Sequence, residues 1–229
     1  MFNSFNIVEI LSSILVYTFS LSVHEYAHAR MAYSLGDRTA FSLGRMTINP
    51  AKHIDPLGLV AFIVAHIGWA RPVPFNPNNF RKNISRRWGT LLVAIAGPVS
   101  NLIISFVSYF IFNLITVLFL SPYNMTQATA GTAVIFTVLD VLNFFFVWNI
   151  WIAVFNMMPF PPLDGFKVFG ALLPARFYYL ISQYEQQIYI ILLVFIIAGR
   201  GLLSRLLYIF VLPLSRLIAY PIDLLFSLF

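Results

Sequence analysis

The chain has no cysteine among its 229 residues. Disulfide frameworks, iron–sulfur clusters and thiolate zinc sites are therefore excluded, and any metal must be held by His, Asp, Glu, Asn or backbone oxygen. Charge is scarce too: 10% of the residues are Asp, Glu, Lys or Arg, against about 25% in an ordinary soluble domain. Histidine is limited to His24, His28, His53 and His66. What takes the place of charge is apolar, with 60% hydrophobic and 17% aromatic residues and a mean hydropathy of +0.84. Disorder, collagen-like repetition and soluble coiled coil do not fit such a composition. An integral membrane protein does.

The net charge of +6 is unevenly placed. Arg30, Arg38, Arg45, Lys52, Arg71, Arg81, Lys82, Arg86 and Arg87 form one long basic stretch between apolar runs. This reads as cytoplasmic loops obeying the positive-inside rule and touching lipid headgroups, not as a nucleic-acid surface.

The first apolar run lacks the basic flank and small-residue cleavage site of a signal peptide, so a retained helix is expected over about residues 6–33. It would rise roughly 40 Å, more than the ~30 Å hydrocarbon core requires. Residues 38–49 carry β-formers and a glycine, and a short hairpin is expected there. The apolar stretch over about residues 57–70 is too short for an ordinary crossing and suits a re-entrant or interfacial helix. Residues 71–87 read as a polar loop. Further spans are expected over 88–120, with a kink at Gly97-Pro98, and over 131–158, ended by Pro159, Pro161 and Pro162. Two more fall in 177–229.

The fold class is thus an all-α polytopic membrane protein of about five to six membrane helices, one of them re-entrant or interfacial, with a small β-hairpin. It forms one domain, residues 1–176 making the core and 177–229 adding C-terminal membrane helices. The charges orient it with the N-terminus outside and residues 34–87 and 159–176 inside.

Within the first span stands His24-Glu25-Tyr26-Ala27-His28. Positions i and i+4 of a helix lie on one face, so both imidazoles can share a metal ion, and Glu25 beside them can serve as general base toward a water. Three ionisable side chains in a membrane helix are costly unless paired, hydrated or bound to metal. A hydrolytic site needs a third protein ligand and an open position. The candidates are His53, Asp55, His66, Asp140, Asp164 and Glu185. Asp164 stands out because the prolines and glycine of Pro161-Pro162-Leu163-Asp164-Gly165 can fix a carboxylate on irregular backbone at membrane depth. An ordinary turn at the interface explains the same pattern.

His24-Glu25-x-x-His28, Ala96-Gly97-Pro98-x-x-Asn101 and Asn156-Met-Met-Pro159-Phe-Pro161-Pro162-Leu163-Asp164-Gly165 together resemble the site-2 protease family of intramembrane zinc metalloproteases. The intervening Asn49-Pro50-x-x-His53-Ile-Asp55-Pro56-x-Gly58 resembles its compact bacterial branch. The resemblance spans roughly residues 15–170. It implies one zinc ion on His24, His28 and Asp164, Glu25 as the catalytic glutamate, and Asn156 and Asn101 as substrate-binding amides near the site. It implies a transmembrane protein or peptide substrate, a place in the plasma (inner) membrane with the site toward the cytoplasm, and a role in regulated intramembrane proteolysis or signal-remnant clearance.

On this reading the strand-like 38–49 offers a sheet edge to an unwound substrate, His53 is a second-shell group or a hairpin support, and His66 is structural. Asp140 has no catalytic role. No PDZ-like insertion or nucleotide-binding appendage is evident, and the chain is expected to begin with the helix bearing His24. The alternative is a non-proteolytic metal binder or ion carrier using the same ligands. Glu25 separates the two readings, since base catalysis needs it and metal affinity does not.

Overall fold

The computed structural model describes residues 7–65, 68–119 and 130–228. Helix α1 (Ile7–Ser34) is followed by a single helical turn, α2 (Thr39–Ser42), and a short helix, α3 (Pro56–Ala65). Two long helices come next, α4 (Arg86–Phe119) and α5 (Ala130–Asn156), then the short α6 (Asp164–Leu172) and α7 (Ala175–Ser182), and finally α8 (Glu185–Ala198) and α9 (Arg200–Phe226). Among the described residues, three helices are long and apolar enough to cross a membrane: Arg86–Phe119, Gly131–Asn156 and Gly201–Phe226. The count rises to four if α7 and α8, bent by 64° at their junction, act as one broken span.

The centre of the molecule is α1, α4 and α5, with α6 against α4 and α9 lying across α4 and α5. Small and polar residues let these helices approach. Ser20, Asn101, Ser105 and Asn149 are fully buried, and Ser105 Oγ donates to the Phe146 carbonyl at 2.9 Å. Where lipid cannot drive helices together, such close backbone packing and interhelical bonds do. Farther along, Val211 of α9 packs on Phe146 and Ile150, while Tyr109 donates to Asp223 at 2.7 Å. The large apolar side chains left outside include Leu11, Leu15 and Phe19 of α1, spaced four residues apart on one stripe.

Local signals account for the boundaries. Asp55 caps α3 by accepting from the N–H groups of Leu57 and Gly58, and Pro56 occupies the first helical position, where a missing N–H costs nothing. Helix α4 starts behind Ser85, whose hydroxyl accepts from Trp88 N–H. It continues through Gly97-Pro98 as one helix. Helix α5 stops just before the proline-rich segment at 159–162.

The hairpin expected over 38–49 is absent, and the described residues contain no strand, only an isolated bridge between Ile54 and Ala70. Two left-handed glycines, Gly36 at φ 112° and Gly44 at φ 65°, turn the chain at either end of the α2 turn. Between them the Asp37 carboxylate caps Thr39 through both its N–H and its hydroxyl. These local bonds favour a helical turn over extended pairing. The extended backbone lies instead at 70–75, from the end of the predicted short helix into the predicted loop. Arg71 N–H donates to the His53 carbonyl at 2.7 Å, and the Arg45 guanidinium holds the Arg71 carbonyl at 2.8 Å.

Asp37 is the hub of this surface layer. Burial disfavours its charge, but hydrogen bonds from the Thr39 hydroxyl, the Asn76 N–H, the Asn79 amide and the Thr39 N–H outweigh that and hold the carboxyl below the ordinary carboxylate range.

Candidate metal centre

His24 and His28 lie one turn apart on the face of α1 that meets α4. Gly97 makes that meeting possible, because a Cβ there would stand 2.4 Å from His28 Nε2 and 2.6 Å from His24 Cε1. His28 Nδ1 is 2.7 Å from the Val93 carbonyl. A carbonyl only accepts, so Nδ1 carries the proton and donates. His24 Nδ1 is 2.6 Å from Asn101 Oδ1. A chain of bonds sets that amide's orientation: Asn101 Nδ2 donates to Asn149 Oδ1 at 2.8 Å, and Asn149 Nδ2 donates to Ser20 Oγ at 2.9 Å and to the Phe145 carbonyl at 2.8 Å. His24 Nδ1 is therefore a donor as well.

Both Nε2 atoms are left as lone pairs. They face each other at 3.0 Å, and each lies 3.1 Å from Asp164 Oδ2, delivered by the first turn of α6. All three residues are buried. Three electron-pair donors converging away from water repel one another unless a cation sits among them. Ligands about 2.0–2.1 Å from a tetrahedral zinc stand roughly 3.3 Å apart, close to the separations found here, so the donor set fits such an ion. Orientation of each ligating imidazole through its other nitrogen is the usual support of such sites.

Glu25 is buried beside His24. Its Oε2 accepts from the Val73 N–H at 2.7 Å, so the extended 70–75 segment runs alongside it. Over these groups opens a cavity of about 940 Å³, walled by Leu21 of α1, Trp148 and Phe155 of α5, Leu192 of α8 and Leu207 of α9.

The other predicted residues lie apart from the three donors. Asn101 is fully buried behind His24, which puts it on the ligand and away from the cavity. Asn156 lines the cavity, with its amide donating to the Ile152 carbonyl at 2.9 Å. His53 donates from Nε2 to the Thr47 carbonyl at 2.6 Å, and burial pushes its imidazole down from its ordinary value against the pull of that carbonyl and of Glu25. Asp55 caps α3 and faces Arg71. Asp140 is exposed on α5, and Glu185 lines the cavity at the start of α8. His66 lies outside the described residues.

Sequence reasoning missed Asn149, the Val73 N–H and Lys167, whose ammonium is 3.7 Å from Asp164 Oδ1. Lys167 follows Asp164 by three residues, one helical turn. That spacing carries meaning only once 164–172 is known to be a helix.

A helix bearing His-Glu-x-x-His, joined by a carboxylate from a second helix and buried among membrane-capable helices, defines a membrane metallohydrolase. The chain belongs to Peptidase family M50, whose sequence pattern matches residues 12–199. It is 40% identical over 185 residues to "Putative zinc metalloprotease YwhC" of Bacillus subtilis (strain 168), covering 80% of this chain and 78% of that one. It is 31% identical over 164 residues to "Putative zinc metalloprotease Rip2" of Mycolicibacterium smegmatis, covering 68% of this chain and 53% of that one. No solved structure matches it.

Proposed function

We propose that the protein is a zinc-dependent intramembrane endopeptidase in which His24, His28 and Asp164 hold the ion and Glu25 is the general base. The observation that carries this reading is the trio of bare donor atoms at 3.0–3.1 Å with a buried glutamate next to the first of them. A bound zinc ion supplies Lewis acidity, polarising a carbonyl and acidifying water. The chain's own groups do the rest. Asn101 and the Val93 carbonyl keep both imidazoles in the ligating tautomer. The Val73 N–H fixes Oε2 of Glu25, leaving Oε1 to take the proton of the attacking water and return it to the departing amine.

The cavity's apolar wall suits a stretch of membrane-embedded chain that has lost its helical bonds. Asn156, on that wall, gives one amide N–H to Ile152 and has a second to offer the exposed backbone. The substrate is a membrane protein or peptide, met within the lipid bilayer. Helix α1 acts as a further span, supported by its length and by the exposed Leu11, Leu15 and Phe19 stripe. With the α7–α8 pair counted once, the core then has about five spans, and α3 is the short interfacial helix. Arg38, Arg45, Lys52, Arg71, Arg81 and Lys82 lie in the segment between α1 and α4, and this basic clustering supports a reading in which that segment and the site face the cytoplasm of a plasma membrane.

The test is Glu25→Gln in purified protein reconstituted with single-span peptides. Zinc content stays at the parent's level while cleavage falls by about 10²–10⁴-fold. A variant that keeps its zinc and cuts as fast as the parent contradicts the base assignment.

A further inference from the structure

Among the described residues lining the cavity, Lys167 is the one cation. Two contacts locate its ammonium: Asp164 Oδ1 at 3.7 Å and the Phe75 ring, whose centroid is 5.6 Å away. The imidazoles use the other oxygen of Asp164, Oδ2. An ammonium has three N–H donors, and at 3.7 Å Oδ1 is its ion-pair partner and not a hydrogen-bond acceptor. Three other polar groups near the centre already have partners. Asn101 is turned toward His24 and Asn149, Asn156 donates to Ile152, and the Val73 N–H is held by Glu25. Hydrolysis of a peptide bond puts negative charge on the carbonyl oxygen, and in an apolar cavity that charge needs a donor already in place.

We infer that Lys167 is a catalytic residue whose ammonium donates a hydrogen bond to the scissile carbonyl oxygen as that charge builds. This rests on the proteolytic reading above. The water oxygen bonds to the carbonyl carbon while its proton goes to Glu25, and the C=O pair moves onto the oxygen facing Lys167. Return of that pair breaks the C–N bond, and the Glu25 proton passes to the amine. Lys167 keeps its protons throughout. Phe75 restrains the ammonium from one side, and Asp164 from another.

The experiment compares the full chain with Lys167→Met and Lys167→Arg. It measures zinc per chain, the affinity for a phosphinic peptide with apolar flanking side chains, and the affinity of the corresponding uncleaved amide in a Glu25→Gln background. The phosphinic group mimics the tetrahedral anion, and the amide mimics the ground state. Lys167→Met keeps its zinc and binds the amide as the parent does, but loses about 10²-fold in phosphinic affinity. Lys167→Arg, which keeps charge and donors, recovers most of that loss. Unchanged phosphinic affinity in Lys167→Met overturns the inference. So does loss of zinc together with both ligands, which makes Lys167 only a partner of Asp164. Lys167→Leu, which also lacks a donor, replaces Lys167→Met if the latter does not fold, with the same outcomes deciding. Failure of the proteolytic reading looks different: the parent itself then binds the phosphinic peptide no better than the amide.

Discussion

At the scale of single residues, the centre depends on which nitrogen of each imidazole carries the proton. His24 owes its tautomer to a side chain, Asn101, whereas His28 owes its own to a main-chain carbonyl. Asn101→Ala therefore frees His24 to rotate or to protonate at Nε2, and zinc affinity falls by about 10–100-fold. Competition with a chelator reads this directly, and unchanged affinity would show that the Asn101–Asn149–Ser20 chain does not support the metal. The paired histidines are legible in the sequence because one helical turn separates them within a single element. The support is not, since Ser20, Asn101 and Asn149 lie on three helices and meet only through packing that no local pattern encodes. Asp164 is intermediate. Its proline–glycine setting marked it as unusual, but elimination alone left five rivals standing.

At the scale of elements, the surface layer between α1 and α4 is organised by hydrogen bonds to a few side chains and not by strand pairing. Asp37 joins α2 to the 76–79 segment, and its lowered pKa gives the joint a pH signature. A depressed carboxyl stabilises the fold in full above its unfolded value of about 3.9 and loses that contribution as pH falls through the lower folded value. Amide exchange at Thr39 and Asn76, corrected for intrinsic rates, should rise as pH falls below about 4. Asp37→Asn should show fast exchange at neutral pH and no such dependence. A parent whose protection is constant down to acid conditions contradicts the assignment. The long helices were legible from their apolar runs. The turn at 39–42 falls where the sequence suggests a hairpin, and the extended segment at 70–75 falls where it suggests the end of a short helix and a polar loop. β-formers at 38–49 suggest strand, but Asp37 and two left-handed glycines prevail locally, while Pro72 and Pro74, which have no N–H to give a ladder, limit the pairing of 70–75 to the short bridge with residues 53–54.

At the scale of the whole molecule, the account requires the bilayer to surround α4, α5 and α9 while the loops from 34 to 87 meet the cytoplasm. The chain has no cysteine, so a single Lys82→Cys variant offers one unambiguous reporter. An impermeant maleimide should label it in inside-out vesicles and not in intact cells, and the reverse pattern would turn the topology over. The deepest dependence is still on the ion. Zinc K-edge X-ray absorption on the purified full-length protein should show two imidazole nitrogens and oxygen donors at about 2.0–2.1 Å with no sulfur, and the imidazole count should drop by one in His28→Ala. A zinc shell with no imidazole, or one that His28→Ala leaves untouched, would contradict the metal centre on which the proposed chemistry rests.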